Sequence, residues 1–183
     1  MPLQIEVPAG EYWNAKNEEF VRVKRSELTL EHSLVSISKW EAKWHQAFLD
    51  PKKKKSEEMV RDYIRCMTIE KNIDPNVYYV IPPDKVKEIA DYIDDPMSAT
   101  TVNRSGPQSR HSNEVMTSEL IYYSMTALQI PFECEKWHLN RLLKLIEVCS
   151  IKNAPPKKMS KRDTVANYAA INAARRKANH SRG

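Results

Sequence analysis

Glycine is scarce in this chain. Three of its 183 residues are glycine, and they lie far apart, at Gly10, Gly106 and Gly183. Loops that hold a nucleotide phosphate against backbone amides need two or three glycines within about six residues, because side chains would keep the phosphate away from the amides. The sequence therefore excludes phosphate loops of the Rossmann and Walker types.

Cysteines and long apolar runs are also few. Cys66, Cys134 and Cys149 are odd in number and widely spaced, a pattern typical of free thiols in a reducing compartment. The longest largely apolar stretch, residues 120–130, is shorter than the roughly 18 residues that suggest a membrane span. Residues 1–6 lack the basic and apolar regions of a signal peptide. We therefore expect a cytoplasmic protein that has no membrane partner.

Charge is distributed unevenly along the chain. Residues 152–183 contain nine basic side chains and one acid, Asp163, which gives this segment a net charge of +8. The other 151 residues contain 20 basic and 23 acidic side chains, a net charge of −3. This asymmetry predicts a weakly acidic body and a basic C-terminal arm, residues 152–183, with different roles.

The N-terminal region is predicted to be a small antiparallel β-hairpin, residues 1–32. Apolar and polar residues alternate in 3–7 and again in 20–23, which predicts two strands joined by a turn at 14–18. A third strand is predicted at 28–30. After this point the apolar period changes from two residues to three or four, which is typical of helices.

Helices dominate the predicted body, residues 33–151, so the fold class is α+β and predominantly α-helical. One helix places Leu34, Ile37, Trp40, Trp44 and Phe48 on a single face. Further helices are predicted after Ser56, which can cap its helix, after Pro83, and over 118–129 and 135–150. A short buried strand or extended strut is predicted at 77–81, and an exposed loop at 103–113.

The segment 135–150 is apolar around most of a helical circumference, which is typical of a helix at the centre of a domain. We expect it to form the middle of the core. The predicted core side chains are Trp40, Trp44, Trp137, Leu142 and Ile146.

Two short motifs resemble functional sites. Lys158-Met159-Ser160-Lys161 matches the KMSKS loop of class I aminoacyl-tRNA synthetases, but the sequence lacks the HIGH motif and nucleotide fold that this chemistry requires. Ser160 and Asp163 are better interpreted as a capping box that begins a final helix. Cys134 and His138 could form half of a zinc site, but no second pair stands at ligand spacing, which favours core packing. We predict no catalytic residue, no metal and no cofactor.

The basic arm is the most informative segment. Residues 165–174 have high helix propensity but little bulk, so this helix would bury too little apolar area to dock firmly on its own body. Three interpretations stay open: a solvated tail, a nucleic-acid contact and a partner-binding arm. The candidate partner-binding residues are Lys157, Lys158, Lys161, Arg162, Arg175, Arg176 and Lys177.

Four longer segments carry a resemblance that extends over nearly the whole chain. Residues 30–45, 62–68, 130–143 and 155–162 together resemble tail assembly chaperones of long-tailed, siphovirus-like bacteriophages. The resemblance implies a non-enzymatic factor in the cytoplasm of the host bacterium, which coats the tape-measure protein and gives way to tail-tube subunits. It supplies no catalytic residue. The alternative is a nucleic-acid-binding phage protein that acts through its basic arm, and self-association is left open.

Overall fold

The computed structural model describes residues 2–14, 17–101, 115–154 and 161–179, without the side chains of Lys161 and Asp163. Helices predominate, and the strands are short and antiparallel, so the protein belongs to the α+β class as the sequence predicts. The chain divides into two compact units, residues 1–151 and 152–183. Within the described part of the chain, no helix is both long and apolar enough to span a membrane.

The described strands form two separate antiparallel pairs. In the first sheet, Leu3 lies opposite Leu30, and in the second, Gly10 lies opposite Val23. The strands are β1 Leu3–Val7, β2 Gly10–Asn14, β3 Glu19–Val23 and β4 Ser26–Leu30. The first sheet therefore joins β1 to β4, and the second joins β2 to β3.

The predicted pairing of residues 3–7 with residues 20–23 is wrong. Strand β2 was not predicted, because it begins with a glycine and lacks a clear apolar alternation. Strand β1 pairs instead with β4, which places the buried Ile5 opposite the equally buried Leu28 and buries Val7 and Leu30 in the same sheet. The turn predicted at 14–18 falls between β2 and β3, and its residues 15 and 16 lie outside the described residues.

Six α-helices and two 3₁₀ helices follow in the described residues. Ser56 caps the second α-helix as predicted, because its hydroxyl accepts a hydrogen bond from the Met59 amide at 3.3 Å. The α-helices are α1 Leu34–Trp44, α2 Glu57–Met67, α3 Pro83–Asp94, α4 Ser118–Ala127, α5 Leu139–Asn153 and α6 Lys161–Ala178. The 3₁₀ helices span Pro75–Tyr79 and Phe132–Lys136.

Helix α1 lies at the centre of the first unit. It begins with a capping box between Ser33 and Ser36, buries Ile37 and Trp40 completely, and packs against α2, α4 and the second 3₁₀ helix. Phe48 was predicted on this helix, but α1 ends earlier, at Trp44, and is capped by His45, whose φ of 49° places it in the left-handed region. The Phe48 ring still contacts the core, 5.1 Å from the ring centroid of Trp40.

The predicted strand or strut at 77–81 is also wrong, since these residues belong mainly to the first 3₁₀ helix. Pro75 is well suited to the first turn of a helix, and the Asp74 carboxylate accepts a hydrogen bond from the Asn76 amide at 2.9 Å. Val77 and Tyr78 are buried by this turn. Local capping therefore outweighs the β propensity of the Val-Tyr-Tyr-Val sequence.

The segment 135–150 is not the centre of the fold. Helix α5 begins only at Leu139, because Trp137 has an extended backbone, and the Leu139 amide donates to the carbonyl of His32 at 2.8 Å. Leu139 and Leu142 are its buried side chains, whereas Trp137 and Ile146 are only partly buried. The predicted loop at 103–113 and the cap Ser160 lie outside the described residues.

We expect the two tryptophans to differ sharply in their effect on stability. Trp40 is fully buried, and its indole donates to the Met59 carbonyl, so Trp40→Ala should lower the free energy of unfolding by about 3–5 kcal/mol. Trp137→Ala should cost about 1–2 kcal/mol, since the ring is partly buried and holds the Arg141 guanidinium at 4.3 Å. Urea unfolding followed by circular dichroism measures both.

Tyr123→Ala is the matched control for these variants. Its ring is 71% exposed, so the free energy of unfolding should change by less than about 0.5 kcal/mol. Equal losses of stability for Trp40→Ala and Trp137→Ala would contradict the placement of α1 at the centre.

Candidate partner-binding site

The candidate partner-binding residues that the structure describes lie on α6. Arg162 is in its first turn, and Arg175, Arg176 and Lys177 form its last turn. All four side chains are exposed. Lys161 begins the helix but its side chain is outside the description, and Lys157 and Lys158 lie outside the described residues altogether.

Helix α6 also exposes apolar side chains. Val165, Tyr168 and Ile171 are 68%, 64% and 39% exposed, and they follow one another at intervals of three residues. Six of the 18 residues of α6 are alanines, which favour the helix but add little apolar surface. Apart from Thr164, every described side chain of this helix is exposed. The helix therefore presents both cations and uncovered apolar groups to solvent.

The cations of α6 suit their place in the helix. Backbone carbonyls at a helix C-terminus carry partial negative charge, so Arg175, Arg176 and Lys177 stabilise the helix from its last turn. Their charges are exposed and remain accessible to a partner that carries acids. The arrangement can hold an anionic surface by charge and an apolar surface by contact.

A buried polar cluster in the first unit is the strongest alternative candidate for a functional site. The His32 Nδ1 atom is hydrogen-bonded to the Tyr63 hydroxyl, and the His32 ring lies 5.0 Å from the His138 ring. The His138 Nε2–H donates to the carbonyl of Tyr92 at 2.9 Å. These contacts connect the start of α1, the middle of α2, the end of α3 and the start of α5.

Burial sets the ionisation of this cluster. Desolvation, with a smaller contribution from His138, lowers the pKa of His32 to about 3, and burial also lowers the pKa of His138. The pKa of Tyr63 is raised, again mainly by burial. All three side chains are therefore neutral at pH 7 and buried from solvent, which suits packing rather than proton transfer to a substrate.

A second polar cluster surrounds Asp62. Lys43 Nζ and Arg65 Nε donate to its Oδ1 atom at 2.7 and 2.9 Å, and Trp44 Nε1 donates to its Oδ2 atom at 2.8 Å. Burial alone would raise the pKa of Asp62, but these three hydrogen bonds outweigh it and hold the pKa below its usual value. Asp62 thus ties α1 to α2, and Trp44 is partly buried beside it.

Glu41 forms a third buried polar contact. One carboxylate oxygen accepts from the Phe48 amide and the other from the Ser118 amide, each at 2.7 Å. The carboxylate therefore caps the start of α4 and also fixes the chain that follows α1. Its two oxygens are occupied by backbone donors, so its role is structural.

An aromatic groove lies between β2, the first 3₁₀ helix and α2, with a volume of about 510 Å³. The Tyr12 and Tyr79 rings stack with centroids 4.7 Å apart, and the Arg61 guanidinium lies 5.0 Å from the Tyr79 centroid. The Tyr12 hydroxyl donates to Asn76 Oδ1 at 2.7 Å. Sequence reasoning missed this groove because β2 was not predicted.

No three His, Cys, Asp or Glu side chains in the described ranges lie close enough together to hold a metal ion. The suggested half-site pairs two buried side chains, Cys134 and His138. Burial raises the pKa of the Cys134 thiol, and His138 already donates to a backbone carbonyl. Both side chains pack in the core, in agreement with the interpretation that the sequence favours.

The buried histidines predict a specific dependence of stability on pH. The folded-state pKa of His32, about 3, lies below its ordinary value of 6.5, so the unfolded chain takes up a proton first as the pH falls. The free energy of unfolding should therefore be highest above pH 6.5 and decrease below it, by up to about 1.4 kcal/mol per pH unit for this group. Urea unfolding at several pH values between about 7.5 and about 4.5 measures how the free energy of unfolding changes with pH.

Two variants isolate the contribution of His32. His32→Gln keeps a polar atom near Tyr63 but cannot be protonated, so its stability deficit relative to the parent should shrink as the pH falls. His45→Asn is the matched control, because it replaces an exposed histidine at a left-handed position that asparagine tolerates and leaves the buried cluster intact. A deficit for His32→Gln that stays constant over this range would show that His32 does not titrate as described.

Comparisons with known proteins add no family to these observations. No protein-family model matches the chain, and no curated protein or solved structure matches it significantly. The resemblance to tail assembly chaperones therefore stays a prediction.

Proposed function

We propose that this chain is a tail assembly chaperone of long-tailed bacteriophages. It is a non-enzymatic factor that binds the tape-measure protein in the cytoplasm of the host bacterium and yields to tail-tube protein as the tube assembles. Its basic C-terminal arm is the binding element, and its first unit is the folded body that carries this arm.

The exposed surface of α6 is the observation that carries this proposal. Most of the stability of a protein helix comes from packing of its apolar side chains, and α6 exposes Val165, Tyr168 and Ile171 together with its terminal cations. Exposed aromatic and arginine side chains are the types that dominate binding energy at protein interfaces. A partner that covers these apolar groups would gain affinity and stabilise the helix at the same time.

The polar chemistry of the first unit supports a binding protein over an enzyme. The carboxylate oxygens of Asp62 and Glu41 accept hydrogen bonds from donors within the fold, and His32 is buried with Tyr63 and His138. Each group therefore stabilises a junction between helices. General acid–base catalysis would require such a group within reach of a substrate.

The segments that resemble the chaperone family also support the proposal. Three of them, residues 30–45, 62–68 and 130–143, meet in the buried cluster of His32, Tyr63 and His138. The resemblance thus covers residues that build the core of the body together.

Co-purification with tape-measure fragments of the phage that encodes the chain tests the proposal. The full chain should retain a fragment, and the triple reversal Arg175→Glu, Arg176→Glu, Lys177→Glu should weaken retention at least about tenfold. The matched control is Lys52→Glu, Lys53→Glu, Lys54→Glu, which makes the same change of charge at three exposed residues of the body. This control should bind as the parent does.

Equal losses from both triple reversals would show that only net charge matters and would contradict a specific role for the arm. No retention of any tape-measure fragment by the full chain would contradict the chaperone proposal itself. Circular dichroism of each variant must match that of the parent, so that a loss of binding is not a loss of folding.

Nucleic-acid binding is the second candidate, favoured by the three consecutive exposed cations Arg175, Arg176 and Lys177. Contacts to phosphates release counterions, so affinity for duplex DNA would fall steeply with salt, whereas a contact dominated by apolar area would change little. Tight, salt-dependent DNA binding without affinity for tape-measure fragments would favour this candidate over the chaperone.

A further inference from the structure

We propose that α6 recognises its partner by antiparallel helix pairing, and that the partner helix carries its acidic residues in its first turn. This inference rests on the proposed function, because it specifies the chemistry of the element that the arm binds. It identifies one face of α6 as the contact and gives the direction in which the partner runs.

Helical spacing selects the contact face. Ile171 and Arg175 follow Tyr168 by three and seven residues, so all three side chains lie on one side of α6, with Val165 at its edge. Tyr168 and Ile171 are the larger exposed apolar groups on this side. Ala170 lies on the opposite side and offers only a methyl group. The face of Tyr168, Ile171 and Arg175 therefore combines apolar anchors with a cation, and we name it the anchor face.

Charge selects the partner. The arm, residues 152–183, carries a net charge of +8, so a second α6 would place cation against cation in either direction of pairing. A partner rich in acids is attracted instead. Phosphates of a nucleic acid could pair with the cations, but they would leave Ile171 and Val165 exposed to water. A helix that bears both acids and apolar side chains satisfies the whole anchor face.

The position of the cations selects the direction. Arg175, Arg176 and Lys177 occupy the last turn of α6. Acidic side chains are most favourable in the first turn of a helix, where the backbone amides carry partial positive charge. In an antiparallel pair, the first turn of the partner lies beside the last turn of α6. The partner's acids then interact with their own helix terminus and with Arg175 on the anchor face, whereas Lys177, seven residues after Ala170, lies on the opposite side of α6.

Two synthetic helical peptides of equal composition test this inference on the full chain. Both carry the same stripe of leucines and the same four glutamates, placed in the first turn of one peptide and in the last turn of the other. Fluorescence anisotropy of labelled peptides should show that the first peptide binds the full chain about tenfold more tightly.

The helicity of the two peptides also depends on where their glutamates lie. Variants of the full chain therefore separate the effect of helix pairing from the effect of peptide helicity. Neutralising the last turn, with Arg175→Gln, Arg176→Gln and Lys177→Gln, should remove most of the preference for the first peptide and change binding of the second peptide little. Tyr168→Ala and Ile171→Ala should each weaken binding of the first peptide at least about fivefold. Ala170→Ser is the matched control on the opposite face and should bind as the parent does.

The inference is overturned if the two peptides bind equally, if the preference survives neutralisation of the last turn, or if Ala170→Ser weakens binding as much as Ile171→Ala. It is also overturned if duplex DNA or vesicles of anionic lipid bind the full chain more tightly than the first peptide. Tape-measure fragments separate it from the proposed function. If fragments bind the parent and the neutralised chain equally, the helix pairing is wrong but the proposed function stands. If fragments fail to bind while the peptide result holds, the proposed function is wrong but the helix pairing stands.

Discussion

The fold of the first unit depends on the burial of His32 between helices that are distant in sequence. Its ring is hydrogen-bonded to Tyr63 of α2 and packs against His138, and its carbonyl accepts from the Leu139 amide at the start of α5. A neutral imidazole can fill this place because it satisfies polar groups without burying a charge. Strand β4 and helices α1, α2 and α5 are therefore joined at one point.

Two buried carboxylates among the described residues of the body are also engaged within the fold. Asp62 and Glu41 are similarly committed to neighbouring donors, so the charged groups buried in the first unit stabilise its junctions. The arm has the opposite character, since α6 presents its cations and its larger apolar side chains to solvent. The body thus uses its buried charged groups in folding, whereas the arm exposes the groups that the proposed function uses in binding.

Features that depend on neighbouring residues were predicted well from the sequence. The Ser56 cap of α2 and the start of α3 at Pro83 follow from local backbone chemistry. Features that depend on distant contacts were missed. The pairing of β1 with β4 depends on matching buried faces, and α5 starts late because the Leu139 amide is held by His32. For the candidate site, the position and the positive charge of the C-terminal arm could be predicted from the sequence. The pairing of Glu41 with the amide of Ser118, 77 residues away, was not.

The central claim is that α6 is a binding element stabilised by a partner, while the body folds independently of it. Hydrogen exchange of the backbone amides tests this most directly, in the full chain alone and with a tape-measure fragment. The account predicts that amides of α1 are strongly protected in both samples, and that amides of α6 exchange rapidly in the free chain and become protected when the fragment is added. Protection of α6 equal to that of α1 in the free chain, or no gain of protection in α6 when the fragment binds, would contradict it.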